Sequence, residues 1–132
     1  MRMAMADAGV ELEAIDYVNA HGTGSLIGDQ VEYDAMREVF GRRFPEVWLN
    51  STKAITGHCL AAAGVIEAAA TLIQMNEGFL HATCGLEYPI GDDGRFVGPR
   101  TVTADCRVAL SNGFAFGGIN TALVIERGWR SA

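Results

Sequence analysis

The chain's 132 residues are 49% hydrophobic, enough for one core and too few for two, so a single domain over 1–132 is expected. Ten basic against sixteen acidic residues give a formal charge of -6, with no Lys/Arg stripe to hold phosphates, which argues against nucleic acid as a partner. A membrane is not indicated either: the longest apolar stretch, Leu60 to Met75, contains Gly64, Glu67 and Gln74 and falls short of the ~20 apolar residues a span needs.

In chain order, Met1 to Ala8 reads as helix, and Gly9 supplies the left-handed residue that commonly ends one. Ile15 to Ala20 reads as a short strand, followed by a glycine-rich turn from Gly22 to Gly28. Asp29 is placed to N-cap the next helix with Glu32 as its capping-box partner, and Phe40-Gly41 closes that helix. Val47 to Ser51 is a second strand. Thr56-Gly57 then turns the chain into an alanine-rich helix ending near Gly78, apolar on almost every face and so expected to be covered on all sides. Phe79 to Asp105 reads as irregular, punctuated by Pro89, Pro99 and Gly91-Asp-Asp-Gly94. Arg107 to Ser111 and Asn120 to Glu126 are two further strands, joined by Asn112-Gly-Phe-Ala-Phe-Gly-Gly118. Strands alternating with helices, then two strands together, predict an α/β layered fold with a mixed sheet.

Glu67 sits in the middle of the apolar helix. A carboxylate buried there without a partner would cost several kcal/mol or take up a proton, so either Glu67 lies on a thin solvent-facing strip or a cation meets it, with Lys53 the best candidate. His21 and His58 each end a strand-plus-turn segment beside glycine. They are either structural histidines or a pair that hydrogen-bonds one developing negative charge. Metal binding is not expected, since His21, His58 and Cys59 lack ligand spacing, and His81 receives no role. Cys59, Cys84 and Cys106 are odd in number, lack C-x-x-C spacing and follow no leader-like segment, which reads as reduced thiols of a cytoplasmic protein. Gly22 to Gly28 lacks the Lys-Ser/Thr ending of a phosphate loop. Asn112 to Gly118 is either a wide hairpin with phenylalanines in the core or a gate over an apolar tunnel.

Three segments carry a resemblance: Val18-Asn-Ala-His-Gly-Thr-Gly-Ser25, Asn50-Ser-Thr-Lys-Ala-Ile-Thr-Gly-His58 with Leu60-Ala-Ala-Ala-Gly64, and Ala109-Leu-Ser-Asn-Gly-Phe-Ala-Phe-Gly-Gly-Ile-Asn120. In this order and spacing the chain resembles the C-terminal half of the β-ketoacyl-acyl-carrier-protein synthases, condensing enzymes of fatty-acid and polyketide assembly with a thiolase-like fold. The resemblance implies that His21 and His58 contact a malonyl thioester carbonyl, promote decarboxylation and stabilise the enolate. It implies that Lys53 orients the second histidine and pairs with Glu67, that Thr23 and Ser25 bind the pantetheine arm, that Phe116 is a gating residue whose backbone N–H helps form the oxyanion hole, and that Asn120 is a supporting residue of the site. Ala115 and Ile119 replace a usual glycine and threonine in that loop.

By the same resemblance the nucleophilic cysteine lies in the family's N-terminal half, and none of Cys59, Cys84 and Cys106 inherits its role. The fold implied is the C-terminal half of a thiolase-like layered fold with its first strand missing. The function implied is an acyltransferase half-site for decarboxylative Claisen condensation, with no cofactor bound by the chain itself and the substrate carried on the phosphopantetheine of an acyl carrier protein. Candidate partners are that carrier, which would find only Arg42-Arg43 or Arg95 and Arg100 as basic patches, and an N-terminal ketosynthase half or a second copy, giving a homo- or hetero-oligomer such as a dimer. A non-catalytic ketosynthase-like partner or chain-length scaffold, or a gene fragment, is the competing reading.

Overall fold

The computed structural model describes residues 1–128; the last four positions of the domain expected over 1–132 lie outside the described residues. Helix α1 (Arg2–Ala8) ends at Gly9, whose φ of 65° no β-carbon opposes. Strand β1 (Tyr17–Asn19), helix α2 (Leu26–Phe40), strand β2 (Trp48–Asn50) and the single-turn helix α3 (Lys53–Thr56) follow. Helix α4 (Ala63–Glu77) is the alanine-rich one, ending as expected at Gly78 in the left-handed region. The tract expected to be irregular holds three two-residue strands, β3 (Phe79–Leu80), β4 (Arg95–Phe96) and β5 (Val102–Thr103). They escape a reading by periodicity because two residues cannot display a period.

The main sheet has the order β4-β2-β1-β6-β7, where β6 spans Val108–Ala115 and β7 spans Ile119–Glu126. The first four strands are parallel and β7 is antiparallel to β6, the mixed sheet that the alternation predicts. The period of two sorts side chains to two cores. Val18, Leu49, Val108 and Leu110 pack with Tyr33, Met36, Phe40 and Phe44 on the α2 side, whereas Tyr17 and Ala109 pack with Met75, Leu80, Val97 and Cys106 on the α4 side.

Two expectations are corrected. The pair β6–β7 stays in register to Ala115 opposite Ile119, so the connection is Phe116-Gly117-Gly118 and not the longer loop from Asn112. Gly117 and Gly118, at φ of 81° and 78°, make that tight turn possible. Helix α4 is not covered on all sides within this chain: Val65, Leu72 and Ile73 are exposed, while Glu67, Thr71 and Gln74 face inward. No helix among the described residues is long and apolar enough to cross a membrane.

Candidate active site

The carboxyl ends of parallel strands leave a crevice where ligands commonly bind. Here β1 and β2 end side by side, Asn19 opposite Asn50, and the chain leaves them as Ala20-His21-Gly22 and Ser51-Thr52-Lys53. The two exits are stitched together. Ala20 N–H donates to Asn50 O at 2.8 Å and Ser51 Oγ–H to Gly22 O at 3.0 Å, and a β-carbon on Gly22 would sit 2.7 Å from that of Ser51. Gly22 is therefore needed for close approach.

Behind the exits lies a buried polar layer. Asn19 Nδ2 donates to Thr52 Oγ1 at 2.8 Å and Thr71 Oγ1 at 3.1 Å, while its Oδ1 accepts from Thr52 N–H at 3.1 Å. His81, to which the sequence assigned no role, belongs to this layer: Asn50 Nδ2 donates to its carbonyl at 2.9 Å and its N–H donates to Gln74 Oε1 at 2.8 Å. These bonds couple the exits of β1 and β2 to α4 and satisfy groups that burial would otherwise penalise.

Lys53 opens α3, and its ammonium lies between the Glu67 carboxylate and His21 Nδ1, 3.3 Å from the latter. The side chains of Lys53 and Glu67 are 4% and 3% exposed, which decides for the buried ion pair over the solvent-facing strip. Because an ammonium only donates, Nδ1 of His21 accepts, and the neutral ring carries its proton on Nε2. Burial first, then the positive Lys53, holds His21 below the ordinary imidazole value, so the ring is neutral at pH 7. The structure thus puts Lys53 on His21, whereas the resemblance had implied the second histidine.

His58 is set by its own loop. Its Nδ1 accepts from Leu60 N–H at 3.1 Å, which again leaves the neutral ring's proton on Nε2. Leu60 has φ of 50°, a left-handed conformation uncommon for a residue with a branched side chain and located beside the histidine it holds. The two imidazoles lie edge to face, with centroids 5.5 Å apart.

Two carboxylates fix the turn between β1 and α2. The helix begins at Leu26 with Ser25 as a cap that makes no side-chain bond, so Asp29 and Glu32 are not the capping box expected of them. Asp29 instead accepts from the N–H groups of Thr23 and Gly24, both at 3.1 Å. Glu32, almost fully buried, accepts from the N–H groups of His21 and Gly22, both at 2.9 Å, and from Asn112 Nδ2 at 3.1 Å. Burial pushes the Glu32 carboxyl above its usual range, opposed by those same donors.

A cavity of about 460 Å³ opens beside the site, with Thr23, Lys53 and His58 on its polar side and Met36, Leu49 and Phe96 among its apolar residues. Thr23 Oγ donates to Ser25 Oγ at 3.2 Å on an exposed turn. The hairpin behaves otherwise: Phe116 at its tip is fully exposed, Asn120 is exposed opposite Phe114, and the ring touching His21 is Phe114, centroids 5.4 Å apart. Of the cysteines, Cys106 is buried and its thiol is pushed up to about 12, Cys59 is half-buried, and Cys84 is exposed at the cavity. No cluster of metal-ligating residues is present among the described residues.

The family model of the β-ketoacyl synthase C-terminal domain matches residues 1–87, which carry both histidines, Lys53 and Glu67. The chain belongs to the β-ketoacyl synthase family. It is 43% identical over 86% of its length to the polyketide biosynthesis malonyl-ACP decarboxylase PksF of Bacillus subtilis, and 43% identical over 92% of its length to the chloroplastic 3-oxoacyl-[acyl-carrier-protein] synthase II of Arabidopsis thaliana. It spans 27% and 23% of those two relatives. Among solved structures it resembles a type II PKS acyl-carrier protein in complex with its ketosynthase, bound to the hexaketide, with a TM-score of 0.90 and 29% identity over 95% of this chain and 31% of that one. The chain thus has the fold of a C-terminal portion of the thiolase-like ketosynthases, as the three motifs implied.

The sequence reading missed Glu32 as a clamp on the His21 turn. Its signal was present, since an acidic residue on the core face of an amphipathic helix demands donors just as Glu67 does.

Proposed function

We propose that this chain is the acid–base half of a ketosynthase site, acting on a malonyl thioester carried by the phosphopantetheine of an acyl carrier protein. The observation that carries the reading is the pair of imidazoles, each with Nδ1 occupied and so with Nε2–H free to donate, in rings 5.5 Å apart. As the malonyl carboxylate leaves as CO2, its bonding pair moves into the thioester carbonyl, and the resulting enolate oxygen accepts from both Nε2–H groups. The enolate carbon then attacks an acyl thioester held on a cysteine of an N-terminal half, and that thiolate departs. A neutral ring at His21 suits this role, since it stabilises the oxyanion without transferring a proton to it.

In this reading Lys53 and Glu67 position His21, Thr23 and Ser25 receive the pantetheine arm, and Phe116 with Asn120 lines the approach only when the second half covers the hairpin. That half, or a second copy, also covers the apolar outer face of α4. In this reading the protein works in the cytoplasm. The test is formation of acetyl-carrier and 3-oxoacyl-carrier protein from malonyl-carrier protein and an acyl-carrier donor, followed by mass spectrometry, with the chain alone and with a cysteine-bearing N-terminal half. Condensation is expected only with both halves, and undiminished decarboxylation by His21→Ala in that complex overturns the reading.

A further inference from the structure

One face of α2 presents Asp29, Tyr33 and Arg37 at successive turns. Asp29 holds the turn after His21; the other two act on a different segment. The Tyr33 hydroxyl donates to Asp93 Oδ1, and Arg37 Nε lies 2.8 Å from Oδ2 of the same carboxylate. The Tyr33 ring is fixed in turn, stacked on Phe96 at 6.0 Å and edge-on to Phe44 at 5.2 Å. Gly91 approaches the Tyr33 hydroxyl so closely that a β-carbon there would overlap it.

Between these anchors and the sheet runs the segment that borders the cavity, including Thr83, Cys84, Leu86, Tyr88 and Ile90. Its start is tied by Thr83 N–H to Gly98 O at 2.9 Å, and residues 87–92 make no backbone hydrogen bond among the described residues. A segment held at both ends and open along its middle is a strap. Its Asp93 end is held by side chains of the helix that also fixes the His21 turn.

We infer that Tyr33 and Arg37, closing on Asp93, form a latch that positions the 83–93 strap as a wall of the cavity and sets how tightly a pantetheine-linked thioester is held there. The ligand rests on the reading under Proposed function; the latch rests on the geometry alone. One rigid helix then sets the distance between the His21 turn and the wall, because Asp29 and Tyr33 are four residues apart, roughly 6 Å along its axis. Tyr33 and Arg37 are positioning residues in this account.

The test uses the full chain with Tyr33→Phe, which keeps the stacked ring, and Asp93→Asn, which keeps the side-chain volume. Hydrogen exchange of residues 83–92 is measured alongside calorimetric titration with acetyl-pantetheine. Each variant is expected to speed exchange of 83–92 and to weaken acetyl-pantetheine by about three- to tenfold, the worth of one hydrogen bond. The double variant is expected to do no more than the stronger single one, because both break the same link. Should Asp93→Asn fail to fold, Tyr33→Phe carries the test. Unchanged exchange in Tyr33→Phe overturns the latch, and faster exchange with unchanged affinity overturns its part in holding the thioester. Faster exchange in a chain whose parent binds no acetyl-pantetheine supports the latch and overturns the thioester reading.

Discussion

Helices α2 and α4 are each fifteen residues long and flank opposite faces of one sheet, yet they are built on contrary rules. Beyond its exposed first turn, α2 buries mainly apolar residues, Tyr33, Met36 and Phe40, beside the one carboxylate Glu32, and leaves Gln30, Asp34 and Glu38 to solvent. Helix α4 leans the other way, burying Glu67, Thr71 and Gln74 beside Ala63 and Met75 while Val65, Leu72 and Ile73 stand exposed. An ordinary amphipathic helix holds a sheet by apolar area. A helix that turns its polar residues inward is instead a scaffold for a polar site, and its apolar back calls for a further layer.

Removing the inward charge of α4 is the harshest way to break this contrast. Glu67→Leu leaves the Lys53 ammonium buried and unpaired, and chemical denaturation is expected to show a loss of about 3–5 kcal/mol. Adding Lys53→Met should recover most of it. A cost of the single variant below about 1 kcal/mol would show that the pair does not organise the core.

The next largest effect falls on chemistry. In a complex with a cysteine-bearing half, His21→Ala removes one of two oxyanion donors and is expected to slow malonyl decarboxylation by about 10²–10³-fold, read as acetyl-carrier formed per minute. Phe116→Ala should slow it far less if the exposed tip serves only the approach.

A third measurement sharpens the electrostatic link between α4 and the site. His21 is held below its ordinary value of 6.5 by burial and then by Lys53, so a proton binds the unfolded chain more readily than the folded one. The stability tied to this ring is therefore complete above about 6.5 and is lost as pH falls through the lowered native value. An NMR titration should place His21 below 6.5, and the Lys53→Met, Glu67→Leu double variant should move it upward. Titration of native His21 at or above 6.5 would remove the Lys53 contact from the account.

The smallest effect probes the outer face. Ile73→Glu is expected to change the stability of the isolated chain by no more than about 0.5 kcal/mol, because the residue is already in water. The same change should abolish co-purification with an N-terminal half. Equal binding by parent and variant would mean that the partner layer lies elsewhere.

Much of this was legible in the residues. Gly9 and Gly78 mark helix ends because the left-handed conformation costs other residues energy, and Glu67 called for a cation because a buried charge cannot stand alone. Three short motifs in fixed order carried the family. Asp29 and Glu32 look like a capping box in one dimension because two carboxylates stand three residues apart, whereas the amides they satisfy belong to the preceding turn. The true length of the hairpin is not legible locally, because the pairing of β6 with β7 through Ala115 and Ile119 depends on a partner strand.

By itself, then, the sequence determined the alternation of strands and helices, the glycine stops, the charge that had to be paired and the residue types available for thioester chemistry. These are properties of single residues and their neighbours. Only the tertiary structure decided that Lys53 meets His21 and not His58, that Glu32 clamps the His21 turn, that Phe114 and not Phe116 touches the imidazole, and that Asp93 is latched to α2. Each of those contacts joins segments from 10 to 93 residues apart, and such distances close only when the sheet orders its strands.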